Sequence, residues 1–202
     1  MPSHSPEVSA VILAGGQGSR LGGLDKGLVP FQGVPLVQHV IQRLSPQLDN
    51  ILISANRSLD AYRTFGYPVL EDEQAGFQGP LMGMLSALRI SPSPWTLFVP
   101  CDTPFLPADL LERLLSAAQQ QQAEIAIAAD EQQRHPVIAL INSALAKDLA
   151  VFLASGERRV MGWYQQHRWI AVPFSPAQVF FNLNSAQEFE QAQGHYLQGS
   201  HP

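Results

Sequence analysis

Cysteine is all but absent from this chain of 202 residues. Cys101 stands alone, so no internal disulfide can form and the fold does not depend on oxidation. Positive charge is also scarce: 12 lysines and arginines face 17 acidic residues, a formal net charge of -5. That balance argues against a general nucleic-acid binder, which carries a basic excess to displace counterions. A basic pocket can still sit on an acidic surface. Long apolar runs are missing too. The opening MPSHSPEVSAVILAGG has no positive n-region, and its apolar stretch stops after a few residues, too soon for a signal peptide or a membrane span. The cytoplasm is therefore the expected compartment, with no membrane partner. The six histidines are scattered without paired ligand spacing, which argues against a structural zinc site.

What is present is an ordinary globular composition, 46% hydrophobic and 14% charged, without low-complexity segments or internal repeats. One domain is expected over residues 8–193, between an extended or disordered N-terminus at 1–7 and a frayed tail at 194–202. Val8 to Leu13 reads as a buried parallel strand feeding a glycine loop. Pro35 then opens a helix with Leu36, Val37, Val40, Ile41 and Leu44 on one face. Strands follow at Ile51–Ile53 and Pro68–Leu70. Leu81, Met84, Leu85 and Leu88 mark an amphipathic helix, Trp95–Val99 a strand, and Pro107–Gln122 a helix. The alternation predicts an α/β fold: a single-domain, Rossmann-like, doubly wound and mostly parallel sheet with helices on both faces. The second half is less regular. Glu124–Ala128, Pro136–Ile141 and Trp169–Val172 read as strands and Ala144–Leu153 as a helix. Ser185 and Glu188 form a capping box for a last helix.

The most informative stretch runs from Leu13 to Gly27, at the carboxyl end of the first strand, where open α/β sheets place ligands. Five glycines precede the lysine, at 15, 16, 18, 22 and 23. They let backbone N–H groups approach an anion as a phosphate cradle, and Arg20 and Lys26 add full positive charge. Neither familiar fingerprint fits. A P-loop needs Gly-Lys-Ser/Thr, whereas Lys26 stands between Asp25 and Gly27; the dinucleotide pattern needs a third glycine where Leu21 stands. A P-loop NTPase and a nicotinamide oxidoreductase are both disfavoured. The alternative is a plain surface loop with two solvated cations.

Asp102 follows the Trp95–Val99 strand and would face the same crevice. Magnesium sites commonly use one or two carboxylates plus substrate phosphates, so one aspartate is enough. The same position also suits a turn or helix-cap aspartate. Asp72, after the third strand, is the second candidate, or else a solvated strand-end acid. Gly79-Pro80-Leu81 could approach a flat base or simply start a helix. Cys101 is a small buried hydrophobe with no assigned chemistry. Glu157-Arg158-Arg159 could be a solvated helix start or hold a second anionic substrate, given the fit of arginine to phosphate. Asn182 and Asn184 alternate, and strand periodicity would put both amides on one side.

Together these segments resemble the molybdenum cofactor guanylyltransferase family over most of the chain. The likeness is carried by Leu-Ala-Gly-Gly-x-Gly-Ser-Arg-Leu-Gly-Gly-x-Asp-Lys-Gly-Leu at 13–28, Ala55-Asn56-Arg57, Glu71-Asp72, and Gly79-Pro80-Leu81 with Gly83-Met84. It continues in Pro100-Cys101-Asp102-Thr103-Pro104, Arg134-His135-Pro136, Gly156-Glu157-Arg158-Arg159-Val160-Met161, and Phe181-Asn182 with Asn184. The glycine loop is shared loosely by many nucleotidyltransferases, whereas the Arg-Leu-Gly-Gly-x-Asp-Lys and Gly-Glu-Arg-Arg runs point to this family. The resemblance implies GMP transfer from GTP to the terminal phosphate of molybdenum-molybdopterin. Leu13, Ala14, Gly15, Gly16, Lys26, Asp72 and Asp102 would bind the nucleotide, and Asp102 would also hold Mg2+. Gly79, Pro80 and Leu81 would lie near guanine. Arg20, Lys26 and Asp102 are the catalytic candidates; Arg158, Arg159, Asn182 and Asn184 are the acceptor-side ones. At Ser54 the family usually has asparagine, and a serine keeps one hydrogen bond but not the amide's paired donor and acceptor. Molybdenum-insertion proteins and molybdoenzyme chaperones are implied as partners by the family only. The alternatives are a molybdopterin cytidylyltransferase, another sugar-phosphate nucleotidyltransferase, or a non-catalytic module that binds GTP or cofactor.

Overall fold

In the computed structural model, residues 8–15, 25–71, 79–183, 188 and 190 are described. The first strand, β1 (Val8–Leu13), is buried along nearly all its length and takes the centre of a seven-stranded sheet. Its alternation assigns the two faces. Val8, Ala10 and Ile12 enter one apolar core, and Val11 enters the other. After the glycine loop, β2 (Pro30–Phe31) and β3 (Val34–Pro35) make a two-stranded hairpin. Its corner, Gln32 and Gly33, has φ of 53° and 77°, the left-handed pair that a two-residue hairpin turn requires. The helix α1 (Leu36–Leu44) follows, burying Leu36, Val37, Val40, Ile41 and Leu44.

Next come β4 (Ile51–Ser54), the short α2 (Leu59–Arg63), β5 (Val69–Leu70), α3 (Pro80–Ile90), β6 (Trp95–Pro100) and α4 (Leu110–Gln120). Strands β5, β4, β1 and β6 lie side by side and all run parallel. The second half adds β7 (Ile125–Ala129), β8 (Arg134–Asn142), α5 (Ala146–Ala154), α6 (Val160–Tyr164) and β9 (Trp169–Pro173). Here β8 pairs antiparallel with both β6 and β7, while β9 runs parallel to β7. The sheet order is therefore β5-β4-β1-β6-β8-β7-β9, with β8 alone reversed. Helices cover both faces: α1 and α4 pack on the Val8–Ala10–Ile12 side, and α3 and α5 on the Val11–Phe98 side. The doubly wound, mostly parallel sheet expected from the sequence is what forms.

Two readings change, and a third falls outside the described residues. The helix α3 is not amphipathic, since every residue from Leu81 to Leu88 is buried, because it packs against both the sheet and α5. Residues 181–183 are not strand; they follow a 3-10 turn at Ala177–Phe180. Asn182 is therefore not on a strand, and Asn184, expected beside it, lies outside the described residues. The capping box at Ser185 lies outside the described residues, although Glu188 and Glu190 are helical.

Candidate active site

Parallel strands deliver their connecting loops to one edge of a sheet. At that edge the ladder continues beyond the strands: Ala14 N–H donates to Ser54 O at 2.7 Å, Cys101 N–H to Leu13 O at 3.1 Å, and Ala55 N–H to Leu70 O at 2.9 Å. Leu13, Ala14, Gly15 and Ser54 are thus fixed beside the start of the Asp102 loop. The absence of a side chain at Gly15 is used, because a Cβ there would stand 3.0 Å from Asn56 Nδ2. Ser54 is buried, with its carbonyl occupied by Ala14. The crossover through α3 joins the carboxyl end of β5 to the start of β6, which brings Gly79 and Pro80 to the same edge. Gly79 has φ 79°, a conformation that favours glycine, and Pro80 occupies the first helical turn. Leu81 points into the core with no exposed surface, so only its backbone could meet a base.

The glycine loop re-enters at Asp25. Lys26 opens a 3-10 turn, Lys26–Leu28, and its ammonium is paired with Asp102 Oδ2. The two strongest sequence candidates, 76 residues apart in the chain, therefore meet. Asp102 is nearly buried, and its other oxygen, Oδ1, has no hydrogen-bond partner among the described residues. An ionised carboxylate oxygen left in that state is costly unless a cation or donor reaches it. Cys101 beside it is held as a neutral thiol, its pKa pushed up by burial and then by the Asp102 charge.

Asp25 faces the other way. Tyr62 Oη donates to Asp25 Oδ1 at 2.5 Å, and Arg57 Nε lies 3.5 Å from Asp25 Oδ2. Neither Asp25 nor Tyr62 was a sequence candidate. Asp25 sits inside the recognised loop, but no local pattern ties it to a tyrosine 37 residues away. Thr103, also missed, is fully buried and donates to Asn182 Oδ1 at 2.7 Å. Leu183 N–H donates to Asp102 O at 3.1 Å. The segment around Asn182 is thereby docked on the Asp102 loop, and Asn182 itself is exposed.

The remaining candidates divide. Arg158 Nη1 donates to Leu153 O and Glu157 O, both at 2.7 Å, so it closes the end of α5. Arg159 is exposed and stands at the N-cap position of α6 with no side-chain capping bond. Arg134 lies over the Trp169 ring at 5.1 Å. Gly16, Arg20, Asp72 and Asn184 lie outside the described residues. No group of three or more histidine, cysteine or acidic side chains suited to a metal occurs among the described residues.

A family model for the MobA-like NTP transferase domain matches residues 10–169. The molybdenum cofactor guanylyltransferase of Pasteurella multocida is 48% identical over 183 residues, covering 90% of this chain and 97% of that protein. The enzyme of the same name from Shewanella loihica is 44% identical over 188 residues, covering 93% and 96%. Among solved structures, molybdopterin-guanine dinucleotide biosynthesis protein A from Archaeoglobus fulgidus superposes with a TM-score of 0.79 at 20% identity, covering 94% of this chain and 99% of that one. A CMP:2-keto-3-deoxy-manno-octonic acid synthetase complexed with CTP gives 0.73 at 14% identity, covering 95% and 99%. At these identities the structures share the fold alone.

Proposed function

This chain belongs to the MobA-like NTP transferases, among the molybdenum cofactor guanylyltransferases, and on that premise we propose how it works. It is a nucleotidyltransferase that moves GMP from GTP to the terminal phosphate of molybdenum-molybdopterin, forming molybdopterin guanine dinucleotide and pyrophosphate. The observation that carries this reading to particular residues is the meeting of Lys26 with Asp102 at the carboxyl edge of β1 and β6.

An ionised phosphate is already a nucleophile, so the acceptor needs no general base. Catalysis is then alignment and charge stabilisation. The backbone N–H groups of the glycine loop that follow Ala14, whose own amide is engaged by Ser54 O, cradle the triphosphate. Lys26 turns from Asp102 to the phosphate oxygens when GTP enters, and Arg20 meets the charge that develops on pyrophosphate. Asp72 and the backbone at Gly79 and Pro80 face the nucleoside end. Ser54, which stands where the family usually has asparagine, offers one hydroxyl there.

Mg2+ fits the residues present. Asp102 Oδ1 is a buried carboxylate oxygen without a hydrogen-bond partner among the described residues, and a hard cation bound mainly by phosphate needs little more from the protein. When bound it neutralises phosphate charge as a Lewis acid. Asp102 would hold it, with Thr103 and Asn182 bracing the loop. Asn182, Arg159 and Asn184 form the acceptor side of the proposal. Arg158 joins them only if it gives up a carbonyl it now binds. No helix among the described residues is long and apolar enough to cross a membrane. The proposal adds a cytoplasmic setting, with molybdenum-insertion proteins and molybdoenzyme chaperones as partners.

Incubating the protein with molybdopterin cofactor, Mg2+ and each nucleoside triphosphate in turn, with products identified by mass spectrometry, tests the reading. A guanine dinucleotide formed with GTP alone is expected. A cytosine product would replace the base, and no product from folded protein would remove the activity.

A further inference from the structure

Asp25 and Lys26 are consecutive, yet they bind opposite walls of the crevice. Asp25 has φ -73° and ψ 109°, extended backbone in which successive side chains diverge. Its carboxylate turns toward the β4–α2 side, to Tyr62 and Arg57. Lys26 turns to the loop after β6, to Asp102. Strand β1 lies between those two neighbours in the sheet, so the Asp-Lys pair spans its end, with two partners on one flank and Asp102 on the other.

The contact on the β4–α2 side is tight. Tyr62 has no exposed surface, and its ring belongs to the core shared with β1 and β4. A Cβ on Gly27 would stand 2.4 Å from the Tyr62 hydroxyl oxygen, so the backbone just past Lys26 rests on that hydroxyl. Leu28 N–H donates back to Asp25 O at 3.0 Å, closing the turn. The hydroxyl thus touches the chain on both sides of Lys26. Burial first, and then the nearby Cys101 and Asp25, push the phenol pKa far above its usual value, so it remains a neutral donor. A tyrosine that served only the core would need its ring and not this oxygen.

We propose that Tyr62 is a positioning residue for guanylyl transfer: its hydroxyl, through Asp25, fixes the backbone from which Lys26 reaches the triphosphate. This rests on the reading of Lys26 as a phosphate ligand. Tyr62→Phe keeps the ring and removes the hydrogen bond to a carboxylate, a bond of the stronger kind. The expected result is a fall in kcat of roughly tenfold, with the KM for the pterin acceptor nearly unchanged and the thermal midpoint lowered by several degrees but the fold intact.

A second measurement needs no nucleotide. Lys26 and Lys147 are the lysines of the chain, so trace acylation by an amine reagent, quantified by mass spectrometry, compares Lys26 with an internal reference. In Tyr62→Phe the Lys26 to Lys147 ratio should rise several-fold. Asp25→Asn should raise it likewise, and serves if the phenylalanine variant fails to fold. Adding Tyr62→Phe to Asp25→Asn should then cost little further activity, because the two act through one contact. An unchanged ratio, or an unchanged kcat in folded Tyr62→Phe, overturns the inference. A wild-type protein that forms no dinucleotide overturns the reading of the site instead, while the acylation ratio still reports on the Tyr62–Asp25–Lys26 linkage.

Discussion

Two carboxylates at the same edge of the sheet each hold a basic partner, and they differ in what is left over. Asp130, in the β7–β8 turn, accepts from His135 Nε2 at 2.6 Å through one oxygen and from the amides of Gln132 and Gln133 at 2.7 and 2.8 Å through the other. Every lone pair that matters is used. Asp102 gives one oxygen to Lys26 and leaves the other without a hydrogen bond. The first arrangement closes a hairpin; the second is the one to which the proposed mechanism assigns a ligand. The same contrast runs through the two halves of the chain. In the second half Trp163 Nε1 donates to Asp148 at 2.7 Å and Tyr164 Oη to Pro136 O at 2.9 Å, and these buried rings brace the reversed strand and its helices.

Breaking the open carboxylate should have the largest effect. Asp102→Ala and Lys26→Ala are each expected to lower turnover roughly a thousandfold, with circular dichroism and thermal midpoint showing an intact fold. Retained turnover in either would remove that residue from the mechanism. Gly27→Ala comes next. Its new methyl would collide with the Tyr62 hydroxyl and should cost about 1–3 kcal/mol in chemical denaturation. The cost should shrink when Tyr62→Phe clears the oxygen, and an equal cost in both backgrounds would place the strain elsewhere.

The closed carboxylate should show the opposite pattern, a loss of stability without a loss of chemistry. Asp130→Asn is expected to unfold more easily at neutral pH while its folded fraction turns over normally. Burial alone would raise the Asp130 pKa, but the hydrogen bonds from His135, Gln132 and Gln133 outweigh it and hold the carboxyl below its usual value. A depressed folded pKa gives stability that is present above the ordinary carboxylate range and lost as pH falls through the folded value. Denaturation midpoints of wild type and Asp130→Asn should therefore converge below about pH 4. Parallel curves down to lower pH would contradict the assignment. The smallest effect is expected at Val151, 73% exposed on α5: Val151→Ser should change stability by less than about 0.5 kcal/mol and leave turnover alone.

Much of this was legible in the sequence, and the residues show why. The β1 strand was read at its observed bounds because a buried parallel strand is a continuous apolar run that ends abruptly at glycine. Asp102 stands out in the sequence as a carboxylate just past a strand at the ligand edge of an α/β sheet, and Lys26 as a cation of the glycine loop that follows β1. The helices α2 and α6 were not, since five residues give too little of a 3.6-residue period to register. The hairpin at Pro30–Pro35 was hidden by strands of two residues each. The reversal of β8 was invisible because periodicity reports burial and carries no direction. Asp25 and Tyr62 escaped for a different reason. Their contact joins a loop to a helix across the fold, and each residue taken alone looks ordinary.

The central claim is that the α-phosphorus of GTP is the atom attacked, at the edge where Lys26 and Asp102 meet. Supplying GTP labelled at its α-phosphorus, and separately at its γ-phosphorus, together with molybdopterin cofactor and Mg2+, tests it most directly. The account predicts that the α label appears in the pterin dinucleotide and the γ label in released pyrophosphate, and that Asp102→Ala forms both roughly a thousandfold more slowly. A γ label on the pterin, or labelled products formed by Asp102→Ala at the wild-type rate, would contradict it.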